Sequence, residues 1–250
     1  MEVYIFILGL LFGSFFLVLG LRLPKNENVL ITRSHCDNCK QVLKWYQLIP
    51  VISYCFQKGK CSYCNEKISI LNPIIELATA VLFLIGFRLY GFSYAYGLYL
   101  VITSLMLIVF VSDFKYMIIN DSPLIVSAVL IIILAYLIGG FKHVLLRIIS
   151  GVVLFLFMYL VGKIGSIVFK KEALGGADVK LAGIIGLAVG FELGLCVFIL
   201  SVFLALPYSV ASIELSKTNE VPYGPFLVGA LYIVYVFSHK FLLLLALFSN

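Results

Sequence analysis

The chain has 250 residues, of which 63% are hydrophobic and only 12% are charged. Its mean hydropathy is +1.13, whereas soluble domains carry roughly 25% charged residues. These values exclude a soluble globular protein and predict an all-α polytopic membrane protein whose main solvent is the lipid bilayer. The net charge of +6 is explained by lysine and arginine in the loops on one side of a membrane, so no nucleic-acid partner is predicted.

About eight transmembrane helices are predicted, because a spanning helix needs about 20 mostly apolar residues. In chain order the apolar runs are 3–21, 72–88, 94–112, 123–139, 144–168, 179–190, 193–213 and 225–248. The sixth run is short and is expected to pair with the seventh across a break at Gly190-Phe191-Glu192. Residues 3–21 have no basic region before them and no small-residue cleavage site after them, which indicates a retained first helix.

Lysine and arginine are divided unevenly between the two sides that these helices define. Thirteen share the side of the first long loop, namely Arg22, Lys25, Arg33, Lys40, Lys44, Lys58, Lys60, Lys67, Lys115, Lys170, Lys171, Lys180 and Lys217. The other side has four, namely Arg88, Lys142, Arg147 and Lys240. Cytoplasmic loops carry the excess of these residues. The sequence therefore predicts an outside amino terminus and places Asp113 and Asp178 at the cytoplasmic face of the cell membrane.

The loop 24–71 separates a first helix, 1–23, from a membrane core, 72–250, and contains four cysteines. Cys36-x-x-Cys39 and Cys61-x-x-Cys64 have the spacing of a four-thiolate zinc site. A pair of disulfides is the alternative, which a reducing cytoplasmic location disfavours. With all four positions filled by cysteine, the zinc is expected to be structural.

Other residues near this loop have plainer interpretations. Cys55 and Cys196 are expected to be inert packing residues, and His35 to be a flanking loop residue. A further set is expected either to fill the interior of the loop domain or to contact the membrane surface: Trp45, Tyr46, Pro50, Val51 and Tyr54.

Asp178 follows Gly175 and Gly176 and precedes an apolar run, where a carboxylate costs several kcal/mol by estimates that vary widely. The two glycines leave a bare backbone that an extended peptide could approach. Small residues follow at intervals of four, a pattern that favours close packing of another helix: Ala182, Gly186, Gly190 and Gly194. The alternative is that Asp178 only caps its helix and pairs with Lys180 or Lys171.

Asp113 closes the third apolar run and has its own alternative, a solvated helix end paired with Lys115. Asp121 is expected to be an N-cap, since Pro123 follows it at the start of the next run. Two carboxylates that share a site cannot both ionise easily, so one can act as general acid and the other as general base. Such a pair could activate water and hydrolyse a peptide bond without a serine, a cysteine or a metal.

Across nearly its whole length the chain resembles the bacterial type IV prepilin peptidases, the leader peptidase/N-methyltransferase family of Gly-x-Gly-Asp membrane aspartyl proteases. The motifs that carry the resemblance are Gly13-Ser14-Phe15, Arg22-Leu23-Pro24, the two cysteine pairs with Trp45-Tyr46 and 49–54, Pro73-x-x-Glu76, Asp113 with Asp121, Gly175–Leu181, and Pro222-Tyr223-Gly224-Pro225-Phe226.

The resemblance implies cleavage of prepilins or pseudopilins after the glycine that ends a basic leader, followed in many members by methylation from S-adenosylmethionine. It implies catalytic roles for Asp113 and Asp178 and associates the cysteine loop with methylation. Glu76 could serve the methyltransferase site or cap the second helix. Four positions depart from the family pattern, namely Ala177, Leu17, Asn72 and Asn120. Leu17 and Asn72 lie near the part of the chain that the resemblance associates with methylation.

Two other function classes are compatible with part of the sequence. An ion-coupled membrane transporter would explain acids in spans, but not the cysteine loop, and no inverted repeats are evident. A non-enzymatic scaffold with a zinc module is the other alternative. The sequence does not distinguish substrates of competence, motility or secretion systems, and it does not predict an oligomeric state.

Overall fold

The computed structural model describes residues 1–29, 33–36, 38–171, 174–216 and 221–248. Lys217, which entered the predicted orientation, lies outside these ranges. The helices are α1 (Glu2–Arg22), α2 (Ile52–Phe56), α3 (Leu71–Tyr90), α4 (Tyr94–Tyr116), α5 (Asp121–Phe169), α6 (Gly176–Val189), α7 (Phe191–Ser216), α8 (Gly224–Val236) and α9 (Ser238–Phe248). Short 3₁₀ turns occupy Leu23–Lys25 and Trp45–Leu48. The described part of the chain contains only isolated β-bridges besides these helices, so the all-α membrane class is confirmed.

Five of the described helices are long and apolar enough to cross a membrane, or six if α8 and α9 form one span bent by 84°. The predicted fourth and fifth spans are two helices on either side of a kink within α5, at Gly140, whose φ of 65° suits glycine. The predicted sixth span, α6, has 14 residues and is about 21 Å long at 1.5 Å per residue. It ends at Gly190, whose φ is 86°, where the break before α7 was predicted.

The chain divides into two units, Met1–Tyr96 and Gly97–Asn250. In the first unit, α1 packs against α3 where α1 carries glycines. A Cβ atom added to Gly9 would lie 2.5 Å from the Cα of Ala80, and one added to Gly13 would lie 2.8 Å from the Cα of Glu76. The far ends of the two helices are joined by a two-pronged ion pair between Arg88 and Glu2. The start of α3 is therefore fixed against α1.

In the second unit, the predicted small-residue stripe lies against α5. A Cβ atom on Gly186 would lie 2.6 Å from the Cα of Gly151, and Gly194, already on α7, contacts Leu154. At the end of α6, the Arg147 guanidinium donates to the Ala188 carbonyl over 3.1 Å, where a cation favours the helix dipole. This packing fixes α6 along its length and so determines where its first turn, which carries Asp178, is held.

Candidate active site and metal centre

Asp113 lies in the last full turn of α4 and only 6% of it is exposed. Its carboxylate accepts a hydrogen bond from the backbone N–H of Gly224, the first residue of α8. The approach is close, because a Cβ atom there would lie 2.9 Å from Asp113 Oδ2 and 2.6 Å from Ile119 Cδ1, and both side-chain ends would have to move. The start of α8 therefore holds the Asp113 carboxylate in place.

Asp178 is the third residue of α6 and is 9% exposed. Its carboxylate accepts a hydrogen bond from the backbone N–H of Gly175, the N-cap residue of the helix. A Cβ atom on Gly175 would lie 3.2 Å from Asp178 Oδ2, whereas one on Gly176 would meet none of the described atoms within 4 Å. Both glycines are exposed. A bare, accessible backbone thus leads directly to a buried carboxylate.

The two carboxylates are near enough to interact electrostatically. Within the described residues, no lysine or arginine forms an ion pair with either of them. Lys180 instead pairs with Asp121 over 2.6 Å, and the ammonium of Lys115 lies 5.5 Å from the Tyr116 ring centre. The predicted alternatives, in which these lysines neutralise Asp178 and Asp113, are therefore wrong.

Helix capping accounts for Asp178 only in part and does not account for Asp121. Asp178 does accept a hydrogen bond from the N-cap residue of its helix, but it is buried beside a second carboxylate. Asp121 was expected to be an N-cap and is not, because Asn120 occupies that position and Asp121 is the first residue of α5. Asp121 instead forms an exposed ion pair with Lys180.

Tyr223 and Ser201 belong to the same region, and the sequence reasoning did not assign them to the site. The Tyr223 hydroxyl and the Ser201 Oγ are 2.6 Å apart, and Ser201 is fully buried. Tyr223 also lies near enough to Asp178 to interact with it electrostatically, and burial raises the pKa of its phenol. The one available signal was the motif Pro222–Pro225, which opens α8.

The four cysteines form two turns with the same backbone hydrogen bonds. In the first turn, the Cys36 N–H donates to the Gln41 carbonyl and the Lys40 N–H donates to the Cys36 carbonyl. In the second, Cys61 is bonded in the same way to Glu66 and Asn65. Lys40 and Asn65 occupy matching positions, each with a φ of 57°. We name these turns the two knuckles, of which the structure describes residues 35–36, 38–42 and 60–67. Each presents two sulfur atoms to the other.

The sulfur atoms of the two knuckles lie within 4.8 Å of one another, and Cys36 Sγ and Cys64 Sγ are 3.8 Å apart. Four thiolates about 2.3 Å from a tetrahedral zinc ion are separated by about 3.8 Å, whereas a disulfide requires about 2.0 Å. All four cysteines are free thiols. Backbone N–H groups of Tyr63 and Cys64 lower the pKa of Cys61 to about 7. Despite the backbone N–H of Gln41, burial and the neighbouring thiols raise the pKa of Cys39 to about 11. A metal needs the thiolate form, so zinc binding would release protons from this group. The donor set fits zinc.

The neighbours of the knuckles agree with most expectations and correct one. His35 bonds to the Arg33 carbonyl and adds no ligand to the group of four cysteines. Cys55 is exposed, so its expected packing role is wrong, while Cys196 is buried as expected. Five residues were expected to fill the interior of the loop domain or to contact the membrane surface. Pro50 is buried and Val51 and Tyr54 are half-buried, whereas Trp45 and Tyr46 are exposed.

Glu76 is the sixth residue of α3 and is buried. Its carboxylate accepts a hydrogen bond of 2.7 Å from the Val51 N–H and is near the Ser14 hydroxyl. It therefore does not cap the helix on which it lies, which begins at Leu71 after the N-cap Ile70. It joins the loop of the first unit to the helix pair instead.

Comparison with known proteins decides the family. A model of the bacterial peptidase A24 N-terminal domain matches residues 7–90, and a model of the type IV leader peptidase family matches residues 100–210. A prepilin leader peptidase/N-methyltransferase of Bacillus subtilis is 31% identical over 94% of this chain and 93% of its own length. The chain belongs to the type IV leader peptidase family.

Similar proteins from other bacteria carry the same description. One from Myxococcus xanthus is 30% identical over 89% of this chain and 69% of its own length. Another, from Vibrio cholerae, is 29% identical over 92% and 94%. No solved structure matches. The family membership favours a peptidase over an ion-coupled transporter.

The two family models cover different residues of the candidate sites. The N-terminal model contains the four cysteines and Glu76, and the leader peptidase model contains Asp113, Asp178 and Ser201 but ends before Tyr223. Ala177, where the chain departs from the Gly-x-Gly-Asp pattern, is half-buried beside Asp178.

Proposed function

We propose that this member of the leader peptidase family cleaves type IV prepilins or pseudopilins after the glycine that ends their basic leader, using Asp113 and Asp178. The observation that carries the proposal is the burial of these two interacting carboxylates with no ion pair to a lysine or arginine among the described residues. Buried carboxylates without such a partner are costly. A pair that shares one proton offers an acid and a base together.

The chemistry needs only these two groups and water. One ionised carboxylate takes a proton from a water molecule as its oxygen forms a bond to the scissile carbonyl carbon. The protonated carboxyl then gives its proton to the leaving amide nitrogen as the C–N bond breaks. The products are a carboxylate on the leader and a new amino terminus. Which aspartate plays which part is a property of the coupled pair, so neither role is assigned.

The backbone around the pair suits an extended substrate. Gly175 and Gly176 are exposed beside Asp178, so a leader lying across them could bring its scissile bond close to the carboxylate. The Gly224 N–H holds Asp113, and Tyr223, near Asp178, can donate a hydrogen bond toward the reacting atoms. The apolar helix of the substrate would dock among the spans, within the bilayer.

The site is proposed to face the cytoplasm at the cell membrane. Asp113 ends α4, whereas Asp178 and Gly224 begin α6 and α8, so the residues cluster at helix ends rather than at mid-membrane depth. The excess of lysine and arginine in the loops on that side supports a cytoplasmic location.

Methylation of the new amino terminus is the second proposed activity, with residues 24–71 associated with it and 72–250 forming the peptidase core. S-adenosylmethionine would supply the methyl group to that nitrogen. The knuckles would hold one zinc ion through Cys36, Cys39, Cys61 and Cys64, which orders the loop. Glu76 is engaged with Val51, and a role in the methyltransferase site stays a prediction.

Incubating membranes that contain single variants with a prepilin tests the peptidase proposal through the size of the product. Asp113→Asn and Asp178→Asn should each abolish the size shift while the protein still accumulates. Asp121→Asn is the matched control, since Asp121 is a nearby but exposed aspartate, and should cleave normally. Normal cleavage by either of the first two variants would sink the two-aspartate mechanism.

A further inference from the structure

The segment between the knuckles, residues 45–56, carries large apolar side chains on its surface. Trp45 is 77% exposed, Phe56 is 86% exposed and Ile52 is 51% exposed. Leu48 and Tyr46 are exposed as well. We name these five residues the apolar rim. A loop domain surrounded by water gains nothing from exposing them, so their position in the fold needs an explanation.

The face of each short helix opposite the exposed apolar side chains contacts either the second knuckle or Gly59, the residue just before it. In the turn Trp45–Leu48, the Gln47 side chain is buried and accepts a hydrogen bond from the Tyr63 hydroxyl. Trp45 and Leu48 are three residues apart and share another face of this turn. The first turn of the segment therefore has one face against the second knuckle and another, apolar face that is exposed.

The same arrangement recurs in α2. The ring of Tyr54 lies against Gly59, where an added Cβ atom would be 2.9 Å from the Tyr54 hydroxyl oxygen. Ile52 and Phe56 are four residues apart, so they share a face, and each is about 200° from Tyr54 around the helix. The apolar rim therefore points away from the knuckles.

The depth of the segment is set by one hydrogen bond. Val51 joins the turn and α2, and its N–H donates to Glu76 Oε2 over 2.7 Å. Glu76 lies about 7.5 Å along α3 from Leu71, at about 1.5 Å per residue, and α3 is itself a candidate membrane span. Val51 is thus held at the level of the second turn of a spanning helix.

The backbone at Val51 is strained. Val51 has a φ of 61° and a ψ of −50°, which is unfavourable for a β-branched residue. The Ile52 N–H reaches the Pro50 carbonyl over 2.6 Å, which closes a tight γ-turn of the strained kind. Only a surrounding structure that fixes the loop in place maintains such a conformation.

We infer that the apolar rim inserts into the lipid interface of the membrane, so that residues 45–56 form a monotopic anchor beside α3. Amphipathic segments of this type sink about 5–10 Å into the boundary between headgroups and acyl chains, and aromatic residues are enriched there. Lys44 and Lys58 flank the segment and are exposed, which suits anionic headgroups. The lipid contact is independent of the peptidase chemistry, because none of these residues belongs to the aspartate site.

Trp45 is the one tryptophan of the chain, so tryptophan fluorescence of the unmodified protein reports on the apolar rim alone. The full chain would be placed in nanodiscs, which leave both membrane faces open to solvent. Lipids brominated close to the headgroup should quench most of the emission, lipids brominated near the chain ends should quench less, and iodide in the buffer should have little effect.

Three results would overturn the inference. Trp45 could be quenched by iodide and not by brominated lipid, which means exposure to water. It could be reached by neither quencher, which means burial in protein. It could be shielded from iodide only after a prepilin peptide is added, which makes the apolar rim a substrate surface. A Trp45→Phe/Glu66→Trp variant is the control, since Glu66 is an exposed residue of the second knuckle and its tryptophan should be quenched by iodide.

Discussion

Gly224 offers a test of the site that leaves both carboxylates in place. In Gly224→Ala, the new Cβ atom would lie 2.9 Å from Asp113 Oδ2, 2.6 Å from Ile119 Cδ1 and 3.3 Å from Val109 Cγ1. The Ile119 methyl is the end of a flexible side chain and can move. Asp113 Oδ2 would have to move as well, and that movement disturbs its hydrogen bond to the Gly224 N–H. The substitution therefore acts mainly on the position of the Asp113 carboxylate.

The expected magnitude follows from two effects. Overpacking by one methyl group costs about 1–3 kcal/mol of stability, which a folded membrane protein can tolerate. A displacement of about 1 Å in a catalytic group can lower the rate by about 100-fold. We therefore expect Gly224→Ala to accumulate in membranes and to cleave a prepilin about 100-fold more slowly.

The assay is the initial rate of prepilin cleavage per amount of protein in membranes. Gly229→Ala is the matched control, because it makes the same change in the same helix and its Cβ atom would lie 3.8 Å from the nearest atom, in the Phe110 ring. It should cleave at the normal rate. Unchanged cleavage by Gly224→Ala would refute the idea that the start of α8 positions Asp113.

Three further predictions concern other parts of the chain. Tyr223→Phe removes the hydroxyl that contacts Ser201 and should lower the maximal cleavage rate while leaving prepilin binding nearly unchanged, and a normal rate would remove Tyr223 from the site. Metal analysis should find about one zinc ion per chain, as four thiolates bind one ion, and Cys36→Ser should lose it; equal zinc in both proteins would contradict the metal site. Gly186→Ala should lower the unfolding temperature, because its Cβ atom would lie 2.5 Å from a backbone oxygen of α5. Gly183→Ala should leave it unchanged, because the atom nearest to its Cβ atom would be 3.6 Å away. Equal unfolding temperatures for the two variants would show that α5 and α6 pack less closely than described.

The sequence predicted the class of fold and most of the membrane helices because apolar runs are a direct signal of lipid contact. It also predicted the break between the fourth and fifth runs, which lies at Gly140, because a glycine pair interrupts the apolar residues there. The cysteine spacing was sufficient for the metal centre, because both knuckles use only local hydrogen bonds.

The candidate site was predicted less completely. Asp113 and Asp178 could be found because a carboxylate beside an apolar run is rare. Tyr223 and Ser201 are ordinary residues for their positions, and their contact joins α7 to the start of α8, which no spacing along the chain encodes. Lys180 was expected as a partner of Asp178, but it lies two residues further along the helix and therefore points to Asp121.

The central claim is that Asp113 and Asp178 act as one catalytic unit. Its most direct test is the cleavage rate of a purified prepilin by Asp113→Asn, Asp178→Asn and the double variant, with protein amounts matched. Groups that act together are not additive, so the account predicts that each single variant loses nearly all cleavage and that the double variant is no slower than either. Near-normal cleavage by one single variant, or independent losses that multiply in the double variant, would contradict it.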